Sequence, residues 1–285
     1  MLLLLPLLLS ALSALSAAVL VPGPTGPFAV AIKVQPLTDT SRRDPLDPTG
    51  RSPHRRLLIS AFLPVDTRRG ACPAASLPYM TPAVAAWYGT QAAANGLPGH
   101  LFGAFEMEAC DLDRLPVCGR REGNKGEYPL VLFSPGFGDS RLLYGAMARS
   151  LASRGYVVVT VDHPFDAMAV EFPDGSVIRG ANISDADPAA VEKVVQVSEA
   201  TRWPVAVVGH PAYTDSHAPQ VRSDDLSFIL DQLHNRTIRG PLLGNFPGRL
   251  ALDKTVVMGH SLGGAAAAAV TRSDARVRGG ADLDG

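Results

Sequence analysis

The pentapeptide Gly259-His260-Ser261-Leu262-Gly263 constrains the possible folds of this chain more than any other segment. Before it runs Thr255 to Met258, a short apolar stretch of the kind buried on both faces of a sheet. After it comes Gly264 to Val270, a run of small residues suited to a tightly packed helix. A strand that passes into a helix at one residue forces that residue into a strained backbone conformation. Side chains two positions to either side would strike the neighbouring elements, which explains glycine at 259 and 263. The Ser261 hydroxyl is thereby lifted out at the carboxyl end of the strand, beside a helix N-terminus that favours negative charge. Such a hydroxyl is suited to attack an acyl carbon.

The surrounding pattern supports a sheet that could carry this turn. Leu130 to Phe133 and Tyr156 to Val161 are further continuous apolar runs, and Gly279 to Leu283 reads as another strand. Leu142 to Arg154 has apolar residues at helical spacing and closes at Gly155. Arg222 to Leu233 is amphipathic, with Leu226, Ile229, Leu230 and Leu233 on one face. Alternating apolar strands and helices imply an α/β chain, with a mostly parallel central sheet and helices on both faces. Nearer the start, Phe28 to Val34 and Arg56 to Leu63 read as strands around a turn region at Asp44 to Pro53. Residues 64–127 are expected to be irregular, apart from a short helix at Pro82 to Tyr88. Residues 165–220 form a long excursion over the pocket mouth, with a turn at Pro173-Asp174-Gly175 and a helix from Pro188 to Ala200.

Acyl transfer through a serine needs donors for the oxyanion, and a base held by a carboxylate. The first donor is the amide of Leu262, just after the nucleophile. The second is the amide of Phe137, in the loop Ser134-Pro135-Gly136-Phe137-Gly138 that ends an earlier strand. Losing one such donor typically raises the barrier by about 3 kcal/mol. Asp282 and Asp284 share one face of the strand after Ser261. Asp284, at the last step, is the preferred acid, and Asp282 is expected to lie deeper. All 7 histidines precede Ser261. His260 points to the other side of its strand and His163 takes a rim or structural role, while His210 and His217 fall in the excursion. None fits the general-base position, so the triad histidine is not present in this chain.

Composition narrows the partners. With Lys+Arg 26 against Asp+Glu 27 and no basic stripe, a nucleic-acid partner is excluded. No Cys/His cluster has metal-ligand spacing, so neither a metal nor another cofactor is expected. No feature calls for an obligate protein partner. The stretch from Met1 to Val21 has no charged side chain and ends in small residues, which reads as a cleaved secretory leader over residues 1–18 before a single domain over 19–285. An uncleaved membrane anchor is the alternative. Asn182-Ile183-Ser184 and Asn235-Arg236-Thr237 fit the N-glycosylation pattern, in keeping with secretion. Of Cys72, Cys110 and Cys118, two are expected to pair, but spacing does not choose which.

Several segments together resemble the plasma-type platelet-activating-factor acetylhydrolases and their secreted fungal-like relatives. They are Phe133 to Arg141, Leu151 to Tyr156, Val161-Asp162-His163, Gly259 to Gly264 and Leu283-Asp284-Gly285. The resemblance implies an α/β-hydrolase fold, Ser261 as nucleophile, Asp284 as acid, and Phe137 and Leu262 as oxyanion amides. It also implies metal-free hydrolysis of a short sn-2 acyl ester on a phospholipid, at a lipid surface. Pro135 stands where a histidine is common in that family, and the segment carrying the triad histidine is missing. The expectation is therefore a chain truncated at its C-terminus, lacking the last strands of the sheet. Expressed alone, it should not hydrolyse p-nitrophenyl acetate beyond background. The alternatives are a cutinase, lipase or polyesterase with the same machinery, or a catalytically inactive binding protein of hydrolase fold.

Overall fold

The structure is a computed structural model that describes residues 18–69, 71–115, 126–180 and 218–284. Most of the expected leader lies outside those residues, as do Cys118, Asn182, His210, His217 and the helix expected at Pro188 to Ala200.

Three strands carry the first part of the chain: β1 (Val19–Leu20), β2 (Ala29–Asp39) and β3 (Arg55–Val65). Two more, β4 (Ala74–Pro78) and β5 (Phe105–Cys110), flank helix α1 (Pro82–Ala94). Then follow β6 (Glu127–Ser134), helix α2 (Gly145–Ala152) and β7 (Val157–Asp162). A small hairpin of β8 (Ala169–Glu171) and β9 (Val177–Arg179) closes around the Pro173-Asp174-Gly175 turn. The last part holds helices α3 (Ala218–His234) and α4 (Arg236–Leu243), strand β10 (Arg249–His260), helix α5 (Leu262–Ser273) and strand β11 (Val277–Leu283).

The central sheet has the order β11-β10-β6-β7-β3-β2. Strands β11, β10, β6 and β7 run parallel, while β3 is antiparallel to β7 and β2 antiparallel to β3. Period-two alternation sorts the side chains. Leu130, Leu132, Val157, Val159 and Val257 face α3 and α5, meeting Leu226, Ile229, Leu230, Ala266 and Val270 in one core. Val131 and Val158 point the other way, onto Ala148 and Ala152 of α2. Leu226, Ile229, Leu230 and Leu233, expected on one helical face, are all at most 2% exposed. Burying each contributes about 1.5–3 kcal/mol.

Several elements run longer than the sequence pattern suggested: β2 reaches Asp39, α1 reaches Ala94 and β10 begins at Arg249. Strand β2 passes through Pro36 because it is the edge of the sheet, where a missing N–H leaves no ladder bond broken. The expectation of irregular structure over 64–127 is corrected. Strands β4 and β5 form there with α1 beside them, and β1 from the start of the chain joins them in a second sheet ordered β1-β5-β4. Its strands are short and bracketed by prolines. They pair across a long separation, and a Cys72–Cys110 disulfide ties the open end of the β4–β5 ladder.

The first strand to follow β6 is β7 on one side, and β10 returns to its other side. The sequence order therefore reverses between β6 and β10, and loops leaving their carboxyl ends open a crevice suited to a ligand. Register sets Gly259 beside Ser134 at that point.

Candidate active site

Ser261 lies between β10 and α5 with φ 51° and ψ −123°, a conformation non-glycine residues rarely adopt. The surroundings hold it there. Its N–H donates to the carbonyl of Leu283 (3.0 Å), and its own carbonyl accepts from Gly264 (2.7 Å) and Ala265 (3.2 Å). The two flanking glycines are sterically required. A Cβ on Gly259 would stand 1.9 Å from the Gly263 carbonyl oxygen, and one on Gly263 would stand 2.1 Å from that of Ser134. Ser261 is half-buried, and no described residue hydrogen-bonds to its hydroxyl.

The loop after β6 approaches the same place. Phe137 packs with Leu262, Leu46, Val221 and Phe165 in one apolar cluster, so the two expected oxyanion residues share a neighbourhood. Residues 136–139 form a β-turn, closed by a bond from the Asp139 N–H to the Gly136 carbonyl (3.2 Å). Gly138 has φ 75°, as the third position of a type II turn requires. Asp284 also has positive φ (58°) and is exposed at the end of β11. Asp282 is not deeper than Asp284: it too is exposed, because β11 is the outermost strand of the sheet among the described residues. Its carboxylate lies against Gly264 in the first turn of α5, where a Cβ would stand 1.6 Å from Oδ1. The helix dipole favours that charge.

Among the described histidines none contacts Ser261 Oγ. The His260 ring turns to Tyr144, with Nδ1 2.7 Å from the phenol oxygen. That oxygen also accepts from the Gly136 N–H (3.2 Å), while its own proton goes to Asp139 Oδ2 (2.7 Å). A phenol has one proton to give, so the proton in the His260 contact sits on Nδ1. Burial holds the Tyr144 hydroxyl well above its ordinary value.

His163 takes the structural role. Its Nδ1 meets Asp225 Oδ2 (2.8 Å) and its Nε2 meets Ser134 Oγ (3.0 Å). The order serine, histidine, carboxylate matches that of an acyl-transfer triad, but the group is sealed. Ser134 and Asp225 are 0% exposed and His163 is 2% exposed, so no substrate reaches them. Burial pushes the Asp225 carboxyl up, and Arg55 and His163 outweigh it, leaving the group far below the usual carboxylate range. Burial lowers His163, which stays neutral. With Nδ1–H facing the carboxylate, Nε2 accepts from Ser134. Sequence pattern had no means of finding this chain, since its members come from β6, the loop after β7 and α3.

Asn235 is exposed at the N-cap of α4, its side-chain oxygen accepting from the Thr237 N–H (3.0 Å). Among the described residues no helix is long and apolar enough to cross a membrane. None of their His, Cys, Asp and Glu side chains group into a metal-binding cluster.

Comparisons with known proteins find esterases and acetylhydrolases. Residues 114–172 match the family described as platelet-activating factor acetylhydrolase, isoform II. A probable 1-alkyl-2-acetylglycerophosphocholine esterase of Arthroderma benhamiae is 29% identical over 277 residues, covering 96% of this chain and 60% of the relative. The platelet-activating factor acetylhydrolase of Canis lupus familiaris is 30% identical over 177 residues, covering 58% of this chain and 36% of the relative. Among solved structures, a ferulic acid esterase from Streptomyces cinnamoneus superposes with a TM-score of 0.58 at 29% identity, covering 92% of this chain and 60% of that one. The chain thus spans at most about three-fifths of the length of these relatives. The matches support a platelet-activating-factor-acetylhydrolase-like family within the α/β-hydrolase superfamily, and the fold is of that type.

Proposed function

We propose that this chain belongs to a serine carboxylic-ester hydrolase that removes a short sn-2 acyl group from a phospholipid. Ser261 attacks the acyl carbonyl, and the amides of Leu262 and Phe137 receive the oxyanion. Asp284 orients the histidine that takes the Ser261 proton. The observation that carries this reading is the strained backbone of Ser261, held by five local constraints while its hydroxyl has no partner among the described residues. Strain of that kind is retained where it serves chemistry. The fungal and mammalian relatives, named for platelet-activating factor or its chemical equivalent, support the acetyl phospholipid as substrate. The reading includes secretion, a cleaved leader over residues 1–18, a single domain over 19–285, and glycans at Asn182 and Asn235.

The ferulic acid esterase likeness favours one competing substrate, a feruloyl ester. The test compares initial rates of the protein expressed in full from its gene on 1-alkyl-2-acetylglycerophosphocholine and on methyl ferulate. Preference for the acetyl phospholipid, lost in Ser261→Ala, is the expected result. Preference for the ferulate would replace the substrate and keep the reaction.

A further inference from the structure

We infer that Arg222 is a positioning residue, whose guanidinium fixes the direction of the Phe137 N–H by holding the carbonyls of the loop that carries it. This rests on the reading of Phe137 as an oxyanion amide.

Arg222 comes from α3 and is 1% exposed. Its Nη1 donates to the Pro135 carbonyl (2.5 Å) and its Nη2 to the Gly136 carbonyl (3.1 Å). Nη1 also lies 3.4 Å from Ser134 Oγ. The rest of the fork is bidentate with Asp166, through Nε to Oδ2 (2.7 Å) and Nη2 to Oδ1 (2.6 Å). Asp166 in turn accepts from the Gly138 N–H (3.4 Å). Burial raises the Asp166 carboxyl and Arg222 outweighs it, so the pair remains ionised.

A trans peptide is planar, and its carbonyl and N–H point in opposite directions. The 135–136 peptide is held at both ends, with its carbonyl on Arg222 and its N–H on Tyr144. The 136–137 peptide is held by its carbonyl, shared between Arg222 and the Asp139 N–H. Its other end is the Phe137 N–H, which is therefore aimed away from the guanidinium. The 137–138 peptide is held by its N–H on Asp166. Three consecutive peptide planes are thus set by one Arg–Asp pair and one phenol. An oxyanion donor must be oriented before the charge develops, because reorientation during reaction forfeits the gain. The planar fork of an arginine spans two carbonyls and a carboxylate together, which a lysine ammonium at the end of a flexible stem does not.

The test uses two variants of the protein expressed in full from its gene: Arg222→Lys, which keeps the charge, and Tyr144→Phe, which removes the opposite tether. Each is assayed for kcat and KM on a short acyl ester, and for amide resonances after ¹⁵N-phenylalanine labelling. Of the 10 phenylalanines in this sequence, to which Tyr144→Phe adds one, Phe137 should report the local change while those remote from the loop report the fold. For Arg222→Lys we expect kcat to fall about a hundredfold, the size of losing one oxyanion donor. KM should stay within about threefold, since ground-state binding is untouched. The Phe137 resonance should move most, its neighbours Phe133 and Phe165 less, and the remaining phenylalanine resonances should stay in place. Tyr144→Phe should act in the same direction, by about tenfold. A folded Arg222→Lys protein with wild-type kcat, with loss confined to KM, or with an unmoved Phe137 resonance overturns the inference. If Arg222→Lys does not fold, Tyr144→Phe decides by the same criteria. If the protein expressed in full from its gene shows no Ser261-dependent turnover, the esterase reading fails, and the Phe137 resonance alone still judges the clamp.

Discussion

Gly259 and Gly263 meet backbone to backbone, with no room between them for a methyl group: a Cβ on Gly259 would stand 1.9 Å from the carbonyl oxygen of Gly263. The last turn of β10 and the first turn of α5 are packed as closely as a peptide chain allows. That approach holds Ser261 in its unusual conformation.

Gly259→Ala should therefore be costly. The obstruction is main chain and cannot swing aside, so we expect a loss of about 3 kcal/mol. For a domain of this size that corresponds to a fall in Tm of roughly 6–12 °C. Gly279→Ala, where nothing lies within 4 Å of the added carbon, should leave Tm within about 2 °C. Equal melting of the two variants would refute the steric account of the elbow.

The sealed His163 predicts how stability depends on pH. Its neighbours are Asp225 and Ser134 in direct contact, with Arg222 and Asp166 nearby. Burial holds it below its ordinary value of 6.5. Below pH 6.5 the unfolded chain binds a proton that the folded chain does not, so stability falls as pH falls through that region. Asp225 acts with the same sign, but only below its ordinary value of 3.8. The wild-type Tm should drop between pH 7 and pH 5. His163→Gln should melt lower at pH 7 and show a shallower drop. Parallel Tm–pH curves for the two proteins would contradict the assignment of His163 as neutral.

Leu230 is 0% exposed where α3 crosses the sheet. Truncation to alanine leaves a cavity in a core that cannot fully collapse. Leu230→Ala should cost about 2–5 kcal/mol in urea unfolding, with the m-value unchanged. A loss under 1 kcal/mol would mean the helix is not packed as described.

The Cys72–Cys110 disulfide spans 38 residues and closes the small β1-β5-β4 sheet. Cys110→Ser should lower stability by about 2–4 kcal/mol, through restored freedom of the unfolded chain. Peptide mapping under non-reducing conditions should find Cys72 joined to Cys110. A Cys72–Cys118 or Cys110–Cys118 linkage would contradict the fold of this region.

The strands that build the site were legible because each is a continuous apolar run with a glycine or proline at or near one or both ends. Leu130 to Phe133 and Thr255 to Met258 carry that signature, and the amphipathic face of α3 is as plain in its leucine spacing. The elbow was legible because its glycines answer a local steric demand. The β4–β5 pairing was not. The alternation Phe105-Glu106-Met107-Glu108 is present, but nothing local says that Ala74 will lie opposite Cys110. The contacts that orient the oxyanion loop were hidden for the same reason. Arg222 reaches Pro135 across 87 residues and His163 reaches Asp225 across 62, and a buried arginine or histidine looks like a surface one in sequence. Asp282 was misplaced because depth along a strand depends on what lies beside it, and β11 sits at the edge of the described sheet.

The central claim is that the Ser261 hydroxyl is the nucleophile. The direct measurement is covalent labelling of the protein, expressed in full from its gene, with a fluorophosphonate, followed by peptide mass spectrometry. The account predicts a single adduct on the peptide containing Gly259-His260-Ser261-Leu262-Gly263, absent in Ser261→Ala, with loss of ester hydrolysis in step with labelling. An adduct on another serine, or ester turnover that survives Ser261→Ala, would contradict it.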